Sequence, residues 1–312
     1  MLYAALSAFF FGWSSVLTKM ITVGNVSIPS ILLFRGVVGA CLLLPLARHG
    51  KQSLRLPFFY YPRILYLSAF GTALTLLMLN LSYIYMPVGS ATTIHYLYPA
   101  VVILLDSFIS RQKPDKLTVT VLILCTASIA LLFEGFAPGA YVGLLFAGIS
   151  VFTWSFQLIY LDRSCLRQVP IYALAFYQSC MVALIGLATG IAVPHTWGAA
   201  LVNMPLILLI GLLNNVLATL FLRAGIERIG AGMAAVLSVF EPISAILFGA
   251  LMLREKLSFI QLLVSAIVLI SITLLVWLNA RREKRQPAEK ISLVAREKGE
   301  PYGCGEQKTS LH

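Results

Sequence analysis

Residues 89–113, GSATTIHYLYPAVVILLDSFISRQK, and residues 232–256, GMAAVLSVFEPISAILFGALMLREK, decide how this chain folds. Laid over one another without a gap, 143 positions apart, they match at Gly89/Gly232, Ala91/Ala234, Pro99/Pro242, Ile103/Ile246, Leu104/Leu247, Arg111/Arg254 and Lys113/Lys256. Apolar runs coincide easily; a proline in mid-run and a terminal Arg-x-Lys in one register do not. The second copy places a carboxylate, Glu241, directly before its proline. Proline has no N–H and its ring clashes with the preceding turn, so each copy predicts a helix broken at its middle, at Pro99 and at Pro242.

Working outward, composition names the solvent. The 312 residues are 59% hydrophobic and 11% charged, with mean hydropathy +0.90, against roughly 25% charged in a soluble domain. A crossing takes about 20 apolar residues. About ten such runs follow, near 2–21, 29–47, 63–84, 89–109, 117–134, 139–161, 170–191, 204–223, 231–252 and 258–279. Breakers separate them: Gly24 to Pro29, Pro57 to Pro62, Pro87 to Gly89, Pro114, Pro138-Gly139, Pro170, Pro194 and Gly230 to Gly232. Backbone inside a bilayer must satisfy its own hydrogen bonds, so the expected fold is an all-α integral membrane bundle. Met1 to Met20 lacks a basic n-region and a small-x-small cleavage site, and reads as the first span.

The duplication reaches further. At an offset of 141, Trp13-Ser14 falls on Trp154-Ser155, Leu17 on Leu158 and Pro29 on Pro170; at 143, Ser128-Ile129 falls on Ser271-Ile272. Five spans per half is an odd number, so the second half is expected upside down relative to the first, the inverted repeat of many secondary transporters. This divides the chain into residues 1–137, residues 138–280 and a disordered cytoplasmic tail, 281–312, whose basic cluster suits anionic headgroups. Charge placement agrees. With the N-terminus in the cytoplasm, all 23 lysines and arginines fall in inner loops or the tail except Lys19, Arg35, Arg254 and Lys256. That is the positive-inside pattern, with both termini cytoplasmic and the 254–256 loop outside. It accounts for the net charge of +11 without a nucleic-acid partner. Cys41, Cys125, Cys165, Cys180 and Cys304 are scattered with no histidine nearby, so no metal site, cofactor or disulfide framework is expected.

Ionisable groups inside a bilayer are expensive and face the bundle interior. Arg35, His95, Asp106 and Glu241 are the candidates. Glu241 is the deepest, and is either a proton carrier or a structural hydrogen-bond partner of the carbonyl that Pro242 leaves free. His95 is a group able to titrate or a packing residue. Arg35 requires an anionic partner, either Glu241 or a substrate carboxylate, or forms a structural ion pair. Lys19 is expected to snorkel to the outer headgroups, and Asp106 to pair locally with Arg111. Trp13, Asn80, Tyr83, Tyr98, Trp154, Gln157, Tyr177, Gln178, Asn214 and Asn215 are a possible cavity lining, and Gly186 with Gly190 a small-residue packing pair.

Phe11-Gly12-Trp13-Ser14-Ser15 leading to Lys19, Arg35 in the second span, and the Pro99 and Glu241-Pro242 helices resemble the EamA family of the drug/metabolite transporter superfamily over residues 2–279. In the first span the family's usual order is Trp-Gly; here it is Gly12-Trp13. The resemblance implies alternating-access transport of a small organic metabolite, commonly efflux, through a cavity between the halves. An amino acid-like or amphipathic substrate, possible proton coupling, a bacterial inner membrane and a monomer or homodimer complete the expectation. A non-transporting scaffold or regulatory subunit is the alternative; it would need neither a mid-bilayer carboxylate nor paired prolines. Enzyme motifs such as His-Glu-x-x-His, Gly-x-Ser-x-Gly or a Walker loop are absent from the sequence.

Overall fold

The computed structural model describes residues 1–50, 52–111, 113, 116–131, 139–192, 196–229, 234 and 237–285. The breakers expected at Pro114, Pro138, Pro194 and Gly230 to Gly232, and the chain beyond 285, lie outside these residues. The regular elements among the described residues are helical: α1 (Leu2–Val23), α2 (Ile28–His49), α3 (Tyr60–Tyr85), α4 (Val88–Ile109), α5 (Lys116–Leu131), α6 (Ala140–Arg163), α7 (Ile171–Ala192), α8 (Met204–Ile210, Gly211–Ala218 and Thr219–Ile229 in succession), α9 (Phe240–Met252) and α10 (Phe259–Arg285). Eight of these, all but α5 and α9, are long and apolar enough to cross a membrane; α9 and the Lys116–Cys125 stretch of α5 are shorter apolar helices. One boundary needs correction. α10 stays helical to Arg285, past the boundary read at 281; arginine, glutamate and lysine are good helix formers.

The prolines act at helix starts. In α4 one helical piece ends at His95 and the next begins at Tyr98, with Pro99 in its first turn, where a missing N–H costs nothing. Pro242 likewise lies in the first turn of α9, after a turn at Ser238–Val239. The repetition extends to other irregularities. α3 and α8 each contain a π-helical segment, Leu67–Ala73 and Gly211–Ala218. Arg111 and Arg254, the arginines of the repeated Arg-x-Lys, both have φ of 53°. A non-glycine residue is rarely found there, and in both copies it turns the chain just past the helix end.

Packing follows the duplication. α2 lies along α7, α4 against α9 and α5 against α10. Other contacts also come in exchange pairs: α1 packs on α9 and α8 as α6 packs on α4 and α3. With lipid as solvent, small residues drive such contacts. The α2–α7 crossing is the clearest case. A Cβ on Gly36 would lie 2.5 Å from the Ala183 nitrogen and 2.7 Å from the Ser179 oxygen, and one on Gly186 would collide with the Leu33 nitrogen. Gly36→Leu is therefore expected to force the helices apart at a cost of about 1–3 kcal/mol or more, read as a lowered unfolding midpoint in detergent, whereas the same change at Gly148, with open space around it, leaves the midpoint unchanged.

Candidate functional site

Where the interrupted segments converge, the bundle holds a cavity of about 190 Å³ lined by α1, α2, α3, α4, α6, α7, α8 and the Ser238–Glu241 turn. Among the described residues, α5 and α10 supply none of its lining. Drug-sized ligands occupy pockets of roughly 300–1,000 Å³, so this space suits a smaller molecule. Of the residues singled out from sequence, Arg35, Asn80, Tyr83, His95, Tyr98, Trp154, Gln157, Gln178, Asn214, Asn215 and Glu241 all border it.

Arg35 is 1% exposed, yet its partners are neutral. Its Nη2 donates to Asn214 Oδ1 at 2.5 Å and Asn215 Oδ1 at 3.1 Å. Asn214 Nδ2 donates to Ser14 Oγ at 2.9 Å, and Asn215 Nδ2 to Ser179 Oγ at 3.2 Å. The amides thus sit in a relay that ties α1, α2, α7 and the π-helical segment of α8. Of the partners considered for Arg35, neither Glu241 nor any other carboxylate pairs with it among the described residues, and its Nε has no hydrogen-bond partner there. Two amide oxygens orient a guanidinium but leave its charge uncompensated, and a buried charge without an opposite charge is costly.

Glu241 borders the same cavity from the first turn of α9. The structural role considered for it requires correction. The Ser238 carbonyl, which Pro242 cannot engage, accepts instead from the backbone N–H of Glu241 at 3.0 Å. The side chain is therefore not needed to satisfy that oxygen, and its carboxylate has no hydrogen-bond or ion-pair partner among the described residues. Tyr83, Tyr96 and Tyr98 lie within electrostatic range of it. Gly12 of α1 allows α1 to press on this turn: a Cβ there would collide with the Glu241 carbonyl and Ser244 Oγ.

His95, at the end of the first half of α4, binds Ser150 Oγ of α6 through Nδ1 at 2.9 Å. Its ring lies 5.7 Å from Tyr98 and 6.3 Å from Trp154, forming an aromatic corner of the cavity. Gln157 accepts from Thr72 Oγ1 at 2.9 Å, and Thr75 bonds Thr153 at 2.6 Å, so α3 and α6 close one wall.

Four expectations fail. Trp13 does not line the cavity; it stacks on Phe248 with centroids 5.7 Å apart and fills the α1–α9 contact. Tyr177 also points elsewhere, donating from its hydroxyl to the Leu54 carbonyl at 2.9 Å in the loop after α2. Lys19 does not reach to headgroups, because Glu255 supplies a partner 2.6 Å away. Asp106 pairs with Arg163 of α6 at 2.6 Å rather than with Arg111, since Arg111 ends the helix in a left-handed turn while α6 packs alongside. Conversely, Ser14, Ser15, Thr18, Thr72, Thr75, Ser179 and Arg223 border the cavity and were not singled out for it. Single hydroxyls in an apolar span carry no sequence signal for the face they occupy, and Arg223 reads as a loop charge.

Apolar helices around a partly charged space for a small molecule define a multi-pass membrane protein of the transporter class. The sequence model of the EamA-like transporter family matches residues 1–134 and again 141–277, and the chain belongs to that family, within the drug/metabolite transporter superfamily. A comparison with curated proteins returned no match. Among solved structures, one described only as "Crystal structure of protein" superposes with a TM-score of 0.58 at 20% identity, covering 86% of this chain and 98% of that one. At that identity the likeness concerns the fold.

Proposed function

We propose that the chain is a secondary transporter that exports a small zwitterionic, amino acid-like metabolite by alternating access, with Glu241 as proton carrier. The observation that carries this reading is one cavity holding a buried guanidinium with no described counter-charge, Arg35, and a carboxylate with no described partner, Glu241. A ligand with a carboxylate and an ammonium answers both needs, and the His95–Tyr98–Trp154 corner accepts its side chain. The halves of the cavity wall come from the two repeats, in keeping with repeats of opposite orientation that rock about a midplane site. We place both termini in the cytoplasm of a bacterial inner membrane, on the charge asymmetry of the loops. Counterflow in proteoliposomes tests the substrate class. Neutral amino acids in a labelled panel are expected to exchange; exchange of sugar phosphates alone would overturn it.

A further inference from the structure

Two ion pairs stand at opposite ends of the bundle. At one end, Lys19 Nζ, in the last turns of α1, meets Glu255 Oε1 in the α9–α10 connection at 2.6 Å, with side chains only 16% and 12% exposed. Lys19 Nζ also donates to the Met86 carbonyl at 2.9 Å, and the Val88 N–H donates to Glu255 Oε2 at 3.1 Å. Glu255 is thus the one second-repeat member of a cluster otherwise drawn from the first repeat. The local backbone puts it there. Arg254 takes the left-handed conformation and the Glu255 N–H returns to the Gly249 carbonyl at 3.2 Å, which folds the chain back over the helix end. Gly249 leaves room for the carboxylate, since a Cβ would lie 2.8 Å from Glu255 Oε2.

The other pair is its counterpart under exchange of the repeats. Lys19 is near the end of the first helix of repeat one, and Glu255 follows the fourth helix of repeat two. Arg163 ends the first helix of repeat two, and Asp106 lies near the end of the fourth helix of repeat one. At a helical rise of 1.5 Å per residue, Asp106 is roughly 25 Å along α4 from Val88. This second pair also measures 2.6 Å, but its side chains are 33% and 54% exposed, and its further bond is to Ser110 at 2.7 Å, just past the end of α4. The cavity is asymmetric in the same sense. Leu161, Ile171, Leu174, Leu222 and Arg223 carry its lining to the Arg163 end, whereas towards the Lys19 end the α7 lining stops at Val182 and the α8 lining at Asn214, well inside helices that run to Ala192 and from Met204.

We propose that the two pairs are reciprocal latches: Lys19–Glu255 holds its end of the bundle shut in this structure, and opens when the Arg163–Asp106 end closes. Each crosses from one repeat to the other, so each bond must loosen for the repeats to part at its own end. This rests on the alternating-access reading above, but its test requires no substrate. In a cysteine-free chain carrying Ser15→Cys on the cavity wall, a membrane-impermeant thiol reagent is applied to each face of sealed vesicles. The latched chain is expected to label from the Arg163 side alone. Lys19→Met and Glu255→Gln are each expected to raise labelling from the Lys19 side about tenfold, within the usual range for loss of a coupling between states. Should these variants fold poorly, Lys19→Cys with Glu255→Cys, joined by a bifunctional thiol reagent on a chain bearing no other cysteine, is expected to stop counterflow until the link is cleaved. Unchanged labelling in both single variants, or undiminished counterflow with the link intact, overturns the latch while leaving the transport reading in place. Labelling of Ser15→Cys from neither side overturns alternating access itself and the latch with it.

Discussion

Proteoliposomes carrying Glu241→Gln are expected to lose pH-gradient-driven substrate movement while retaining counterflow at a measurable rate. A carboxylate in a bilayer interior is costly unless it is paired, and this one has no described partner; for the proposed proton carrier, the ionised and neutral forms must be favoured in different access states. Only such a difference lets a proton shift the equilibrium between them. Glutamine keeps the size and a carbonyl oxygen but has no proton to exchange, so gradient and transport uncouple while binding persists. The backbone supports the choice of variant. The turn before Pro242 is closed by the Glu241 N–H on the Ser238 carbonyl, a bond that the substitution leaves untouched. Full gradient-driven transport by Glu241→Gln would make the residue structural and remove proton coupling from the account.

The second large effect concerns Arg35. Arg35→Lys is expected to weaken binding of a carboxylate-bearing substrate by roughly 10- to 150-fold, the equivalent of one charge-assisted hydrogen bond of about 1.5–3 kcal/mol. Lysine keeps the charge but is a point donor on a flexible stem; it cannot hold Asn214 and Asn215 and still present a planar edge to a ligand. The thermal midpoint controls for damage to the α1–α2–α8 relay. Asn214→Ala, which removes one acceptor and the link to Ser14, is expected to act in the same direction but less strongly. Unaltered affinity in Arg35→Lys would show that the substrate does not dock on the guanidinium.

Much of this was legible from two stretches of sequence. Pro99 and Pro242 mark where the second piece of α4 and the helix α9 begin after a break, because a missing N–H and a ring clash are local properties. Arg35 and Glu241 were legible as interior groups because a charge in an apolar run has nowhere else to go. Their surroundings were not. That Arg35 rests on amides depends on a π-helical segment of α8, and nothing in GLLNNVLA announces one. Trp13 and Tyr177 failed for a different reason: in helices apolar on every side, lipid, cavity and neighbouring helix accept an aromatic ring equally well, so no periodicity shows which it faces. Nothing in the sequence marks Glu255, between Arg254 and Lys256, as a buried partner. Its burial follows from the left-handed turn at Arg254, a conformation the residue type does not favour.

The central claim is that two repeats of opposite orientation enclose one site, and the ends of the duplicated stretch test it most directly. Lys113 and Lys256 are the matching final residues of the two copies, and both are exposed. In a cysteine-free chain, Lys113→Cys is expected to label from the cytoplasmic face only and Lys256→Cys from the opposite face only. Labelling of both from one face would place the repeats in the same orientation and contradict the account.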